Sequence, residues 1–411
     1  MPVPKREIAK QMNIHEYQAK KLLKKFKIEV KKGAIAYTPL EALKAAKKIS
    51  KDGPWVLKAQ IQSGARAKGH FVQKGTKKIS GVEVAHNENQ VFELAQKMLS
   101  NVLVTPQTTK QGKLVSKIYV EEFEHTKRSF YLSFVINRIE ACITLLVAGV
   151  TDNIVDLAQN NPGAILRINL NLNQKIKDRD VSRILGFLGL KESVRLKLKT
   201  FVQNLHRAFL SLDATMLEIN PVCLNEKGNF VALDAKISFD DNALFRHADV
   251  VQMHDDYEVG ENILKAAQCG FKYREFESGN IGLIVNGDGL ALAVHDYLKE
   301  MNEKTACYLN IKGGVDEEKI AESLKIMMTN PKVEGIIINI LGGFLRCNLV
   351  ADGIISAVSQ IGLNIPLVAR FEGTNKDAAK EILESNHFDF LTADSLQEAA
   401  LKLTKAMKEE A

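Results

Sequence analysis

The chain has 411 residues, 45% of them hydrophobic and 26% charged, with a formal net charge of +7, which is globular composition with room for two or three domains. Its lysines lie in short clusters at 20–21, 24–25 and 31–32 without an aromatic-basic motif, so a solvated surface is expected and no nucleic acid. No apolar run is long enough to span a membrane, residues 1–11 carry no signal-peptide pattern, and five scattered cysteines without a CxxC pair speak for a reducing, cytoplasmic setting and against structural zinc.

Reading from the N-terminus, Asn13 as N-cap and Glu16 three residues on predict a helix start in capping-box spacing. Ala19, Leu22, Leu23 and Phe26 give that helix one apolar face. A second helix is expected over residues 39–49, then a short buried strand at 55–57 with Lys58 at its end. Lys58 is either an exposed strand terminus or a fixed cation for a phosphate. The loop Ser63-Gly-Ala-Arg-Ala-Lys-Gly69 is either a plain turn or a place where small residues let backbone amides approach a phosphate that Arg66 neutralises. Strands are expected at 118–120, 130–135 and 141–147, and helices at 181–188 and 192–212. Glu121, at a strand end, either faces solvent or accepts from an exocyclic amine of a base.

The stretch 216–236 predicts a β-hairpin: two apolar runs around the polar, Gly-containing turn 225–228. Strand alternation puts Glu218 and Asn220 on one face, and Asp234 on the returning strand can lie beside Asn220. Such oxygen donors suit Mg²⁺, which takes few protein ligands and shares phosphates; an ordinary hairpin with a solvated polar face fits the same spacing. After about residue 253 the pattern becomes strand, Gly-rich turn, helix. Strands are expected at 281–285, 307–311, 336–340, 366–370 and 390–391, with loops at Asn286, Gly313-Gly314, Gly342-Gly343 and Glu372-Gly373. This predicts a doubly wound parallel domain, with ligands at the carboxyl ends of its strands.

Six segments together resemble the β subunit of succinyl-CoA synthetase (succinate–CoA ligase). They are Met12-Asn-Ile-His-Glu-Tyr-Gln-Ala-Lys20, Gly53-Pro-Trp-Val-Leu-Lys58, Leu217-Glu-Ile-Asn-Pro221, Asp241-Asn-Ala-Leu-Phe-Arg246, Ile284-Val-Asn-Gly-Asp-Gly-Leu-Ala291 and the run Asn339–Ile354. The resemblance implies an α/β and α+β chain: an ATP-grasp domain over 12–252 that binds nucleotide and Mg²⁺, then a flavodoxin-like CoA-ligase domain over 253–411 that meets an α subunit. It implies the reversible tricarboxylic acid cycle reaction in which succinyl-CoA, ADP or GDP and phosphate give succinate, CoA and ATP or GTP. By the same resemblance Lys58 and Arg66 would hold nucleotide phosphates and Glu121 would meet the base. Asn220 and Asp234 would bind Mg²⁺. Glu218 would face the histidine that carries the phosphoryl group, which belongs to the α subunit along with the CoA site. Asn286, Gly343, Phe344 and Leu345 would serve succinate or phosphate.

The chain also departs from the family pattern. Ala65 and Ala67 stand where glycines are usual, Ser129 where a glutamate is, Asn310 for an aspartate and Lys312 for a glycine. The segment Ala148-Gly-Val-Thr-Asp152 replaces a Gly-Gly acidic motif. Two alternatives share the fold: a catalytically weakened or regulatory paralogue that still binds an α subunit, and a malate-type CoA ligase β subunit.

Overall fold

The computed structural model describes residues 12–73, 79–151, 154–172, 174–276, 278–311, 313, 315–362, 364–388 and 390–409. Residues 1–11, Asp152, Lys312 and Gly314, singled out above, lie outside the described residues. There are two compact units, one over Gln11–Glu258 and one built on Val259–Ala411. No helix among the described residues is long and apolar enough to cross a membrane.

The first unit holds an antiparallel sheet of β1 (Gly33–Ala36), β2 (Trp55–Ala59), β3 (Val82–Ala85) and β4 (Ile118–Glu122), in the order β1-β4-β2-β3. Helices α1 (Glu16–Lys25), α2 (Pro39–Ile49) and α3 (Glu88–Met98) accompany it. Thr38 caps α2 by accepting from the Glu41 amide, and Pro39 fits the first turn, where no amide partner is needed. Trp55, Leu57 and Ala59 of β2, with Ile118 and Val120 of β4, pack against Ala42 and Ala46 of α2 and Val91 and Ala95 of α3. Side chains alternate along a strand. Lys58 and Glu121 therefore project together from the opposite face of the same sheet.

A second sheet contains β5 (Thr126–Asn137), β6 (Cys142–Ala148), β7 (Ile165–Leu170), β8 (Ala214–Asn225), β9 (Phe230–Ala232) and β10 (Ala235–Phe239). Its order is β7-β6-β5-β8-β9, with β10 also paired to β8. The expected helices appear as α4 (Asp178–Leu188) and α5 (Arg195–Ser211), and Phe201 of α5 meets Phe230 at 5.9 Å between rings. Strands β1, β3 and β7 are short pieces that the sequence pattern did not single out.

The second unit has a sheet of β11 (Lys272–Glu275), β12 (Ile281–Val285), β13 (Thr305–Asn310), β14 (Gly335–Gly342), β15 (Leu367–Gly373) and β16 (Leu391–Ala393), in the order β11-β13-β12-β14-β15-β16. Strands β12 to β16 are parallel, as expected, while the edge strand β11 is an antiparallel addition. Both faces are covered. Ile336, Ile338 and Ile340 pack toward α7 (Glu317–Met328) and α8 (Cys347–Ile361), whereas Ile337 packs toward α6 (Asp288–Glu300) and α9 (Leu396–Glu409). That explains why β14 is an unbroken apolar run rather than an alternating one.

Two local expectations need correction. Helix α1 begins at Glu16 with His15 as its cap, and Gln18, not Glu16, returns a side-chain bond to the cap amide. Asn13 instead bridges to Ser238 of β10. Lys20, expected on a solvated face, is 1% exposed.

Candidate active site

The hairpin forms as its pattern predicts. Gly228 adopts a positive φ of 72° in the turn, and its amide returns to the Asn225 carbonyl. The pairing of Ile219 with Ala235 and of Val222 with Ala232 sets Asn220 directly opposite Asp234, and the Asn220 amide donates to the Asp234 carbonyl at 3.3 Å. Leu217 and Ile219 are buried while Glu218 and Asn220 sit half-buried on the other face. The Asn220 side-chain nitrogen donates to the Thr151 carbonyl at 3.4 Å, but its Oδ1 is buried without a hydrogen-bond partner. A buried carbonyl oxygen without a donor beside a carboxylate is the chemistry a hard cation completes. The donor set therefore fits Mg²⁺.

Next to the hairpin lies a buried charge cluster of three cations, Lys20, Lys58 and Arg66, and three carboxylates, Glu16, Glu121 and Asp234. Glu16 is the hub. Its Oε1 accepts from Lys20 Nζ at 2.7 Å and Lys58 Nζ at 2.8 Å, and its Oε2 from Arg66 Nη2 at 2.7 Å. Glu121 uses one oxygen on Lys20 (2.5 Å) and the other on Lys58 (2.7 Å). Both lysines also donate to the Leu233 carbonyl, at 2.6 and 2.5 Å. Arg66 is fixed further by Nη1 on the Ala59 carbonyl at 2.8 Å and reaches Asp234 Oδ2 at 2.6 Å. Asp234 is the least covered member, with 35% of its side chain exposed against 3% for Glu16 and 6% for Arg66.

Burial works against every charge here, and pairing outweighs it for Glu16, Lys58 and Arg66 but not for Asp234, whose carboxyl burial raises above its ordinary value although Arg66, Lys58 and Lys20 pull it down. Burial pushes the Glu16 carboxyl up, but Lys20, Lys58 and Arg66 together hold it well below the usual carboxylate range. Burial likewise lowers Lys58 and Arg66, yet Glu121, Glu16 and Asp234 around the lysine, and Asp234 and Glu16 around the guanidinium, raise both. Lys58 and Arg66 therefore stay charged.

Of the residues expected at a nucleotide site, Lys58, Arg66, Glu121 and Asp234 come together in this cluster, with Asn220 on the neighbouring strand. Glu218 stands apart from the cluster and accepts from the Tyr131 hydroxyl at 2.9 Å. Burial raises its carboxyl above the ordinary value, Tyr131 and Lys236 pulling the other way. Ser129 is exposed on β5, in register with Cys223. In the Ser63–Gly69 loop, Ala65 has left-handed geometry (φ 55°, ψ 30°), whereas Ala67 lies in the short 3₁₀ turn Arg66–Lys68 without a positive φ.

Sequence reasoning missed Glu16, Lys20 and Tyr131. A signal for the first two existed. Glu16 and Lys20 are four apart and share a stripe with the buried Ala19 and Leu23, so the ion pair lies on the apolar face of α1 rather than on the solvent face.

In the second unit, Asn286 at the carboxyl end of β12 spends both ends of its amide on one backbone residue: Nδ2 donates to the Leu341 carbonyl at 2.7 Å and Oδ1 accepts from the Leu341 amide at 2.9 Å. It braces the loop that holds Gly343, Phe344 and Leu345. Those three divide sharply, Leu345 being 2% exposed in the core, Phe344 99% exposed, and Gly343 in open space.

One grouping of His and carboxylates among the described residues has metal-ligand spacing: His15, Asp255 and Glu258. It is already neutralised. Asp255 pairs with His15 and Lys117, and Glu258 with Lys113. Its role is to tie residues 255–258 to the cap of α1.

Residues 13–224 match the ATP-grasp domain family and residues 284–404 the CoA-ligase family. The chain is 39% identical over 404 residues to the ADP-forming succinate–CoA ligase subunit beta of Paramagnetospirillum magneticum, covering 97% of this chain and 100% of that protein. It is 40% identical over 405 residues to its counterpart in Acidiphilium cryptum, with the same coverage. Among solved structures, ATP citrate lyase from Methanothrix soehngenii in complex with citrate and coenzyme A superposes with a TM-score of 0.72 at 16% identity, covering 98% of this chain and 100% of that one. That likeness establishes the fold. The chain belongs to the succinate–CoA ligase β-subunit family, with an ATP-grasp domain followed by a CoA-ligase domain.

Proposed function

We propose that this chain is the nucleotide-handling β subunit of an ADP- or GDP-forming succinate–CoA ligase and acts with an α subunit that carries the phosphohistidine and the CoA site. The observation that carries the reading is the set of permanently charged, buried cations Lys58 and Arg66 placed beside the Asn220–Asp234 hairpin, on a chain of this family. Phosphoryl transfer between a nucleotide and a histidine asks the protein mainly for positioning and charge neutralisation, and these residues supply both.

Lys58 and Arg66 neutralise the nucleotide phosphates, each held by carboxylates that keep it from swinging to solvent. Glu121 fixes Lys58 and Lys20, one carboxylate oxygen on each, and being 1% exposed is a brace for these cations rather than the contact to the base that the resemblance implies. Asn220 and Asp234 hold Mg²⁺, which when bound offsets phosphate charge. Glu218 accepts from the ring N–H of the α-subunit histidine and orients that ring, and Tyr131 orients Glu218 in turn. Asn286 keeps the Gly343-Phe344-Leu345 loop in shape for succinate or phosphate, and the exposed Phe344 meets the α subunit.

The test is to co-express the chain with its own α subunit and measure phosphorylation of the α subunit by ATP and by GTP, with Mg²⁺ and with chelator. Metal-dependent labelling that Asp234→Asn abolishes is expected. An α subunit left unlabelled by both nucleotides overturns the reading.

A further inference from the structure

We propose that Arg66 and Asp234 form an exchangeable pair that makes this site select metal-bound over metal-free nucleotide; the inference rests on the nucleotide site proposed above. The geometry separates the fixed partners of Arg66 from the one that can leave. On its buried side Nη2 bonds Glu16 Oε2 at 2.7 Å and Nη1 bonds the Ala59 carbonyl at 2.8 Å. On its open side the same Nη2 bonds Asp234 Oδ2 at 2.6 Å, and Asp234 keeps 35% of its side-chain surface. While that bond stands, the outward N–H of Arg66 is covered and an arriving phosphate must compete with a carboxylate for it.

Asp234 has a second use for its carboxylate. It lies opposite Asn220, whose buried Oδ1 has no hydrogen-bond partner. A divalent cation held between these two draws the Asp234 oxygen away from Arg66. Arg66 need not move, because Glu16 and the Ala59 carbonyl still anchor it. The charge count then favours a phosphate: without Asp234, the cations Lys20, Lys58 and Arg66 face only Glu16 and Glu121, an excess of one positive charge in a buried setting. Metal and phosphate therefore help each other, and by linkage the effect is reciprocal. A metal-free nucleotide meets an Arg66 that is still engaged.

The experiment is calorimetric binding of ADP to the co-purified α/β complex, in excess Mg²⁺ and in chelator, for the wild type, Asp234→Asn and Asp234→Ala. Both variants remove the competing charge, and the alanine variant guards against a peculiarity of the amide. With chelator, each variant is expected to bind ADP about ten-fold more tightly than the wild type, a typical size for such coupling. Mg²⁺ tightens binding by the wild type alone. Variants that bind metal-free ADP no better than the wild type, while the wild type binds ADP with Mg²⁺, overturn the exchange and leave the nucleotide site intact. A wild-type complex that binds no ADP even with Mg²⁺ overturns the site and the exchange together.

Discussion

Replacing Ala65 by glycine is expected to stabilise the first unit, and replacing Ala67 by glycine to destabilise it, although the two alanines flank the same arginine. Ala65 has φ 55° and ψ 30°, a left-handed conformation that costs an L-residue with a Cβ about 1–2 kcal/mol. Glycine removes that cost but adds about 0.5–1 kcal/mol of backbone entropy lost on folding. The net gain is about 0.5–1 kcal/mol. Ala67 has no positive φ, so glycine there relieves nothing and costs about 0.5–1 kcal/mol. The assay is urea unfolding followed by the fluorescence of Trp55, the only tryptophan in the sequence and 2% exposed within the core of the first sheet. Shifts of the same sign for the two variants, or a loss of stability in Ala65→Gly, would refute the assignment of strain to position 65.

Lys20→Met leaves Glu16 and Glu121 short of a buried cation and is expected to cost about 3–5 kcal/mol in the same unfolding assay; a loss below about 1 kcal/mol would mean that Lys20 does not neutralise them. Glu218→Gln is expected to slow phosphoryl exchange with the α subunit by up to about 10⁴-fold, the scale of losing a carboxylate that fixes the tautomer and orientation of a reacting histidine, with calorimetric ADP affinity unchanged. Burial holds the His206 imidazole below its ordinary pKa beside Phe134, so its stabilising contribution is complete above the unfolded value of about 6.5 and is lost as pH falls toward the folded value. His206→Phe should then lose less stability than the wild type between pH 7.5 and 5.5, and equal losses would count against the assignment. Phe344→Asp is expected to weaken association with the α subunit by about 2 kcal/mol or more, the scale of an interface anchor, as read by sedimentation of the mixed subunits.

The parts of this protein that follow from periodicity were legible in its sequence. The hairpin register that sets Asn220 against Asp234 came from alternation and turn chemistry, and the parallel sheet of the second unit from repeated apolar runs with glycine at their ends. The parts that depend on packing against another element were not. Lys20 stands among lysines that are solvated, and only the apolar stripe it shares with Ala19 and Leu23 marks it as different. The antiparallel strand Lys272–Glu275 is short and polar, because an edge position asks for little apolar surface. Asn286 reads as a polar residue at a ligand-binding loop, but its amide is consumed by the Leu341 backbone, a role that no local pattern encodes. At Ala65 the resemblance supplied the suspicion, and the backbone angle decided between two alanines that look equivalent in the sequence.

The balance of three buried cations against three buried carboxylates also constrains how this chain can change over generations. Any one of the five deeply buried members, Glu16, Lys20, Lys58, Arg66 and Glu121, replaced by a neutral residue leaves a buried charge unmatched, at a cost of about 3–5 kcal/mol, a large share of the 5–15 kcal/mol that typically separates a folded domain from its unfolded state. Such a change survives only with a second one that restores neutrality. By comparison, a glycine exchanged for alanine at position 65 costs a net of only about 0.5–1 kcal/mol and needs no partner. Glu16, Lys20, Lys58, Arg66 and Glu121, although distributed over helix, strand and turn, therefore depend on one another as a single electrostatic unit, a constraint that the Ala65–Ala67 loop does not share.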